Sequence, residues 1–152
     1  MYEAKFKEVT GMELPEAAKP LASYVPAIKA GEFVFTSGQI PMVAGELKYK
    51  GKVGKDLTEE EGYEAAKACA INCLSAIKMV AGSIDNIDHF VKVTGFVNSA
   101  PGFTAQPKVV NGASDFFGKI FGDAGIHSRA AVGVAELPID AAVEVEVVVK
   151  LK

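Results

Sequence analysis

The stretch from Thr58 to Gly82 constrains the fold most strongly, because it predicts one long amphipathic helix. Thr58 and Glu61 have the spacing of a capping box, in which the threonine hydroxyl accepts a backbone N–H and the glutamate reaches back to the threonine N–H. Apolar residues then recur at intervals of three and four and share one face: Tyr63, Ala66, Ala70, Cys73, Ile77 and Val80. Gly82 is a typical helix end.

Segments rich in β-branched and aromatic residues predict strands before and after this helix. The predicted strands are Glu32 to Thr36, Phe90 to Val97, Arg129 to Leu137 and Ala142 to Leu151, and a second helix is predicted from Gln106 to Phe121. Glycines and lysines between Met42 and Lys55 indicate a hairpin or an exposed loop. The order of elements favours an α+β fold, a mixed β-sheet with two helices packed on one face.

The length of 152 residues predicts a single domain over residues 1–152. Residues 1–25 carry Pro15 and Pro20, with Pro26 just beyond them, and are expected to form an irregular lead-in. The chain lacks an apolar stretch of about 18 residues, and its first residues alternate in charge, so neither a membrane span nor a signal peptide is predicted. We therefore expect a cytoplasmic protein.

Charge and residue spacing argue against several classes of ligand. The net charge of −3 comes without a basic stripe, so no nucleic-acid partner is expected. Cys69 and Cys73 are four residues apart on the predicted helix and are interpreted as buried thiols rather than as a disulfide or metal ligands. No metal site and no phosphate-binding glycine loop are recognised, so no cofactor is predicted.

The last two predicted strands carry the residues that are best suited to bind a ligand or to catalyse a reaction. Arg129 shares a strand face with Ala131 and other small residues, so its guanidinium is suited to bind a carboxylate, although a surface arginine would give the same pattern. Glu144 and Glu146 share a face of the last strand, which fits either a general base or two solvated carboxylates. The pattern alone leaves both alternatives open.

Three segments together resemble the Rid/YjgF family, and they are Ser37–Pro41, Ser128–Pro138 and Val143–Glu146. Three further segments resemble a subgroup often labelled L-PSP endoribonuclease or chorismate-mutase-like, and they are Gly54–Leu57, Lys92–Asn98 and Asn111–Asp115. The resemblance implies a chorismate-mutase-like fold that assembles as a homotrimer with clefts between subunits. It also implies hydrolysis of small enamines and imines to 2-keto acids and ammonia, without a metal or an organic cofactor.

The resemblance also implies roles for particular residues. Arg129 matches the arginine that grips the substrate carboxylate, and Glu144 matches the glutamate that helps to position the attacking water. Further substrate-binding positions are Tyr24, Ser37, Gly38, Gln39, Asn111 and Ala131, and His127 is added because it lies beside Arg129 in sequence. This chain departs from the deaminating members of the family at two positions. Tyr24 is followed by Val-Pro, where those members usually have Ser-Gln, and Ala131 stands where they often have a cysteine.

Because of these departures, two other functions are considered as alternatives. A trimer that binds a carboxylate-bearing metabolite for regulation, without catalysis, would use the same arginine. RNA cleavage, with inhibition of translation, is the least favoured alternative, because the chain is acidic and has no pair of histidines for acid–base chemistry. The first hypothesis remains an enamine or imine deaminase.

The turn Pro138-Ile139-Asp140 predicts that the last two strands form an antiparallel hairpin if they are adjacent in the sheet. In such a hairpin Arg129 and Glu144 would be offset by about five positions, on the order of 16 Å. A small imine cannot span that distance. We therefore expect Arg129 of one subunit to act with Glu144 of a neighbouring subunit.

Overall fold

The structure is a computed structural model, and it describes residues 1–19 and 23–152. Within these ranges there are three α-helices, and they are α1 (Tyr2–Thr10), α2 (Glu59–Ala81) and α3 (Gln106–Phe121). The strands in the same ranges are β1 (Ala27–Ala30), β2 (Phe33–Thr36), β3 (Met42–Val43), β4 (Glu46–Leu47), β5 (Ile87–Asn98), β6 (Ser128–Val134) and β7 (Val143–Leu151). None of the described helices is both long and apolar enough to cross a membrane.

The main sheet, as far as the chain is described, has five strands in the order β1-β2-β7-β5-β6. Strand β6 runs parallel to β5, and the other neighbours are antiparallel, so the sheet is mixed. Strands β3 and β4 form a separate hairpin inside the region predicted to be a hairpin or an exposed loop. The prediction of an α+β fold with a mixed sheet is confirmed.

The core lies between one face of the sheet and the helices α2 and α3. Strand β7 shows the predicted alternation of buried and partly exposed residues. The odd-numbered residues from Val143 to Leu151 are buried, and the even-numbered residues from Glu144 to Lys150 are only partly buried. Cys69 and Cys73 of α2 are buried and free, and their thiols donate to the carbonyls of Val143 and Val145 at 3.5 and 3.3 Å. The interpretation of these cysteines as buried thiols is confirmed.

The predicted irregular lead-in over residues 1–25 is wrong for Tyr2–Thr10, which form α1 as a third helix beside the two predicted. The Asp85 carboxylate accepts hydrogen bonds from the backbone N–H groups of Tyr2 and Glu3 at the start of α1, 83 residues away in sequence for Tyr2. Phe6 is 1% exposed and packs edge-on against Phe116 of α3. Local composition does not reveal such distant partners. Residues 20–22 of the lead-in lie outside the described residues.

The predicted hairpin of the last two strands is also wrong, because β5 lies between β6 and β7. The connection from β6 to β7 crosses the end of β5 around the fully buried Asn98. The Asn98 side-chain amide donates to the Asp140 carboxylate at 3.2 Å and to the Ala141 carbonyl at 3.1 Å. The Lys52 ammonium donates to the Asn98 side-chain oxygen at 2.9 Å. These buried hydrogen bonds fix a crossover where the sequence suggested a tight turn.

Ile139, in this crossover, has a left-handed backbone conformation with φ 50° and ψ 27°. A β-branched residue is rarely found there, because its side chain crowds the backbone. The next residue, Asp140, also has a positive φ of 62°, and its carbonyl accepts a hydrogen bond from the Gly51 N–H at 2.8 Å. The bonds around Asp140 therefore impose a strained conformation on Ile139.

We predict that Ile139→Asn raises the free energy of unfolding by about 1 kcal/mol, because asparagine tolerates the left-handed region. Denaturant unfolding at matched protein concentration measures this change. The control is Ile126→Asn, since Ile126 is 72% exposed but has an ordinary φ of −71°. The control should change stability by less than about 0.5 kcal/mol. Equal effects of the two substitutions would contradict the assignment of strain to Ile139.

Candidate functional site

Arg129 lies on the edge strand β6, with its side chain directed towards α3. Its Nη1 donates to the Asn111 side-chain oxygen at 2.8 Å and to the Ser114 hydroxyl at 3.2 Å. Its Nη2 donates to the Pro107 carbonyl at 3.3 Å. Ala131 lies two residues further along the same strand face and packs against the core. Three of the predicted site residues therefore lie together at one edge of the sheet, Arg129 and Ala131 on β6 and Asn111 on α3.

Arg129 has no acidic partner within 4.0 Å among the residues that the structure describes. It is partly buried, and its recorded partners are neutral oxygen atoms. It is also the single arginine among the 16 lysines and arginines of the chain. A planar guanidinium without a counter-charge is suited to bind a carboxylate from outside the chain.

His127 ends the loop before β6 and reaches the same group through Ser114. Its Nε2 lies 2.9 Å from the Ser114 hydroxyl, and its Nδ1 lies 2.6 Å from the Gly125 carbonyl. Burial lowers the pKa of His127 below its ordinary value and the charge of Arg129 lowers it further, although the hydrogen bond to Gly125 opposes them. Ser114 was missed in the sequence, because only the packing of α3 on β6 brings it to Arg129.

The second group of site residues surrounds Glu144, where the end of β2 departs from β7. Regular pairing stops at Phe35 with Val148 and resumes at a single bridge between Gln39 and Val145. Gly38 lies directly against Glu144, so that a side-chain carbon added at Gly38 would overlap the Glu144 carboxylate. The absence of a side chain at Gly38 therefore makes room for this carboxylate.

Glu144 is half-buried, and burial raises the pKa of its carboxyl group, with the charge of nearby Glu146 as a second cause. A carboxylate with a raised pKa exchanges protons more readily near neutral pH than an ordinary surface glutamate does. The alternation of β7 was visible in the sequence. The burial of Glu144 against Gly38 was not, because it depends on the irregular pairing of β2 with β7.

A cavity of about 130 Å³ adjoins this second group and is lined in part by Tyr24, Gly38 and Gln39. Its walls are mostly apolar, with Pro26, Ile40, Met42 and Ile139 among the other lining residues. The Ser37 hydroxyl donates to the Val25 carbonyl at 2.6 Å and so fixes the chain beside the cavity. The predicted residues Tyr24, Ser37, Gly38, Gln39 and Glu144 therefore lie in one region.

The structure does not bring Arg129 and Glu144 together within one chain. Arg129 pairs with Val93 of β5, which pairs in turn with Val147, whereas Glu144 pairs with Phe96. The two residues are thus separated by two strand spacings, about 10 Å, and by three positions, about 10 Å along the strands. Arg129 is on the face that the helices cover, and Glu144 is on the opposite face. The predicted register was wrong, but the two residues are still far apart.

The described residues provide no obvious metal centre. Across residues 1–19 and 23–152, no group of three or more His, Cys, Asp or Glu side chains is arranged to hold a metal ion.

Comparisons with known proteins agree with the fold. The sequence model of a family described as "YjgF/chorismate_mutase-like, putative endoribonuclease" matches residues 5–151. Protein TCP17 of Trypanosoma cruzi is 44% identical over 144 residues, which are 93% of this chain and 89% of that protein. A crystal structure of an Agrobacterium tumefaciens protein with unknown function has a TM-score of 0.91 and 39% identity, and the match covers 99% of this chain and 92% of that one.

A further relative is named for an enzymatic activity. The 2-iminobutanoate/2-iminopropanoate deaminase of Dermatophagoides farinae is 29% identical over 138 residues, which are 91% of this chain and 93% of that protein. The chain is therefore similar to proteins of one family over nearly its whole length.

We predict that Gly38→Ala displaces the Glu144 carboxylate, because the new methyl group would occupy its place. The carboxylate is the end of a flexible side chain, so the free energy of unfolding should change by less than about 1 kcal/mol. The pKa of Glu144, raised in the native protein, should fall as the carboxylate moves into solvent, and a carbon-13 NMR titration of the glutamate carboxyl groups measures this.

Gly118→Ala is the matched control, because nothing lies within 4 Å of the added carbon on helix α3. It should leave the Glu144 titration unchanged and stabilise the helix by about 0.5–1 kcal/mol. If Gly38→Ala also left the titration unchanged, the close contact of Gly38 with Glu144 would not control this carboxylate.

Proposed function

The chain belongs to the YjgF/chorismate-mutase-like family, and from this premise we propose that it hydrolyses a small imine or enamine that carries a carboxylate. The products would be a 2-keto acid and ammonia. The observation that carries the proposal is the guanidinium of Arg129, which is partly buried, is held by neutral oxygens and has no acidic partner among the described residues. The substrate carboxylate would supply the missing negative charge.

Glu144 would act on the water molecule in this reaction. As the water oxygen forms a bond to the imine carbon, the carboxylate of Glu144 would accept a proton from the water. The same proton would then pass to the nitrogen of the tetrahedral intermediate. Glu144 would next take the proton of the new hydroxyl group and deliver it to the nitrogen, so that the carbonyl forms, the carbon–nitrogen bond breaks, and ammonia and the keto acid leave. The raised pKa of Glu144 suits a group that both accepts and returns a proton.

The distance between Arg129 and Glu144 leads to a proposal about assembly. A single small imine cannot contact both residues of one chain, so the complete site would combine Arg129 of one copy with Glu144 of another. The face of the sheet opposite the helices exposes large apolar side chains, which favours burial against further copies. Ile28, Phe33, Phe35 and Val132 are 59, 38, 44 and 43% exposed. We propose a homotrimer with three such clefts.

The similarity to a 2-iminobutanoate/2-iminopropanoate deaminase supports this activity at 29% identity. Binding of a carboxylate-bearing metabolite without turnover is the second candidate, favoured by alanine at position 131 and by Val25-Pro26 after Tyr24. RNA cleavage has less support, because the net charge is −3 and the chain has a single arginine for phosphate contacts. The two free cysteines fit a reducing compartment, and we propose the cytoplasm.

The test is the release of ammonia from freshly generated 2-iminobutanoate and 2-iminopropanoate. Arg129→Lys should raise KM about tenfold or more, because lysine cannot offer the planar fork of a guanidinium. Glu144→Gln should lower kcat about 10²- to 10⁴-fold, because the amide cannot accept the proton. A wild-type protein that binds keto acids but does not accelerate ammonia release would instead establish the second candidate.

Glu146→Gln is the matched control, because Glu146 lies two residues away on the same strand face. It should keep a near wild-type rate at neutral pH. Since the charge of Glu146 helps to raise the pKa of Glu144, its removal should lower that pKa. The acid side of the rate profile would then move to lower pH. A movement to higher pH would contradict the role of Glu144 as the proton acceptor.

A further inference from the structure

We propose that Ser114 and His127 are positioning residues, which hold the guanidinium of Arg129 in the orientation that receives a carboxylate. That a carboxylate is the ligand rests on the proposed function. The positioning itself rests on a chain of hydrogen bonds within the protein. This chain runs from the Gly125 carbonyl through His127 and Ser114 to Arg129.

The direction of each hydrogen bond follows from the two ends of this chain. The Gly125 carbonyl can only accept, so the Nδ1 of His127 carries the proton and donates to it at 2.6 Å. The Nε2 of the neutral ring is then an acceptor, and the Ser114 hydroxyl donates its one hydrogen to it at 2.9 Å. The lone pairs of the Ser114 oxygen remain to accept from Arg129 Nη1 at 3.2 Å. Neutral His127 thus holds the Ser114 hydroxyl hydrogen away from Arg129 and keeps the lone pairs of the Ser114 oxygen directed to the guanidinium.

These hydrogen bonds leave one edge of the guanidinium, formed by Nε and Nη2, to face a ligand. Nη1 gives its hydrogens to Asn111 and Ser114, and Nη2 gives one hydrogen to the Pro107 carbonyl. The hydrogen on Nε and the second hydrogen on Nη2 have no recorded partner among the described residues. A carboxylate accepts a pair of hydrogen bonds from such an edge. Without Ser114, Asn111 would hold Nη1 alone, and the plane of the guanidinium could turn.

Protonation of His127 would reverse the central hydrogen bond, because Nε2 would become a donor and Ser114 could no longer donate to it. It would also place a second cation near Arg129. Among the described residues, Arg129 on β6 is the charged group that faces the imidazole, while Phe117 on α3 and Phe90 on β5 flank it with ring centroids at 6.3 and 6.5 Å. The lowered pKa of His127 keeps the ring neutral at physiological pH.

The single arginine of the chain allows a direct test without any ligand. Protein labelled with nitrogen-15 only in arginine gives the signals of Arg129 alone. In the wild-type protein at pH 7.5, hydrogen bonds to both Nη atoms should slow rotation of the guanidinium, so that separate Nη1 and Nη2 resonances are observed. Ser114→Ala should speed this rotation about tenfold or more, because it removes a hydrogen bond to a charged group.

The His127 variants separate positioning from packing. His127→Leu keeps an apolar side chain beside the phenylalanines but removes the acceptor for Ser114, so rotation should become faster. It should add nothing in the Ser114→Ala background, because both residues act through one hydroxyl. His127→Gln offers a side-chain oxygen as acceptor and should restore slow rotation. Wild-type resonances should shift as the pH falls through the lowered pKa of His127, and those of His127→Gln should not.

Binding of 2-oxobutanoate provides the second measurement. Ser114→Ala and His127→Leu should weaken it about tenfold, and His127→Gln should restore it. If the Arg129 resonances respond as described but no variant binds the keto acid, the positioning stands and the proposed carboxylate function fails. If rotation of Arg129 is equally slow in wild type, Ser114→Ala and His127→Leu, with all three folded by circular dichroism, the inference is wrong whatever the ligand.

Discussion

The position of β5 between β6 and β7 separates Arg129 from Glu144. Strand β5 pairs in parallel with β6 and antiparallel with β7, and this arrangement directs Arg129 and Glu144 to opposite faces of the sheet. The arrangement depends on Asn98 at the end of β5, whose buried amide holds the crossover between the other two strands. The separation of the two halves of the site is therefore a consequence of strand order and not of a flexible loop.

Each half of the candidate site contains a charged side chain that has no oppositely charged partner among the described residues. Arg129 is a partly buried cation bound to neutral oxygens, and Glu144 is a carboxylate whose ionisation is opposed by burial and by Glu146. Both situations cost free energy in an isolated chain. A substrate carboxylate at Arg129 and a water molecule at Glu144 would offset these costs in an assembled site. The same features that make the isolated halves unfavourable would thus make the complete site reactive.

The sequence predicted the elements whose signals are local. Helix α2 was predicted from its capping box and apolar spacing, and strand β7 from its alternation. Helix α1 was missed, because its N-terminus is capped by Asp85, and the strand order was missed, because a short turn suggested a hairpin. Ser114 gave no signal, since an isolated serine on a helix is common. Arg129 is different, because it is the single arginine in the chain, and this is a signal in addition to its position on a strand.

The central claim is that Arg129 and Glu144 work together only across two copies of the chain. The most direct test mixes Arg129→Ala and Glu144→Gln proteins after dissociation and allows them to reassemble, with native mass spectrometry to verify mixed oligomers. A site that takes its arginine from one variant and its glutamate from the other is intact, so an equal mixture should recover about a quarter of the wild-type rate of ammonia release, although each variant alone is inactive. Verified mixed oligomers without recovered activity would contradict the shared site.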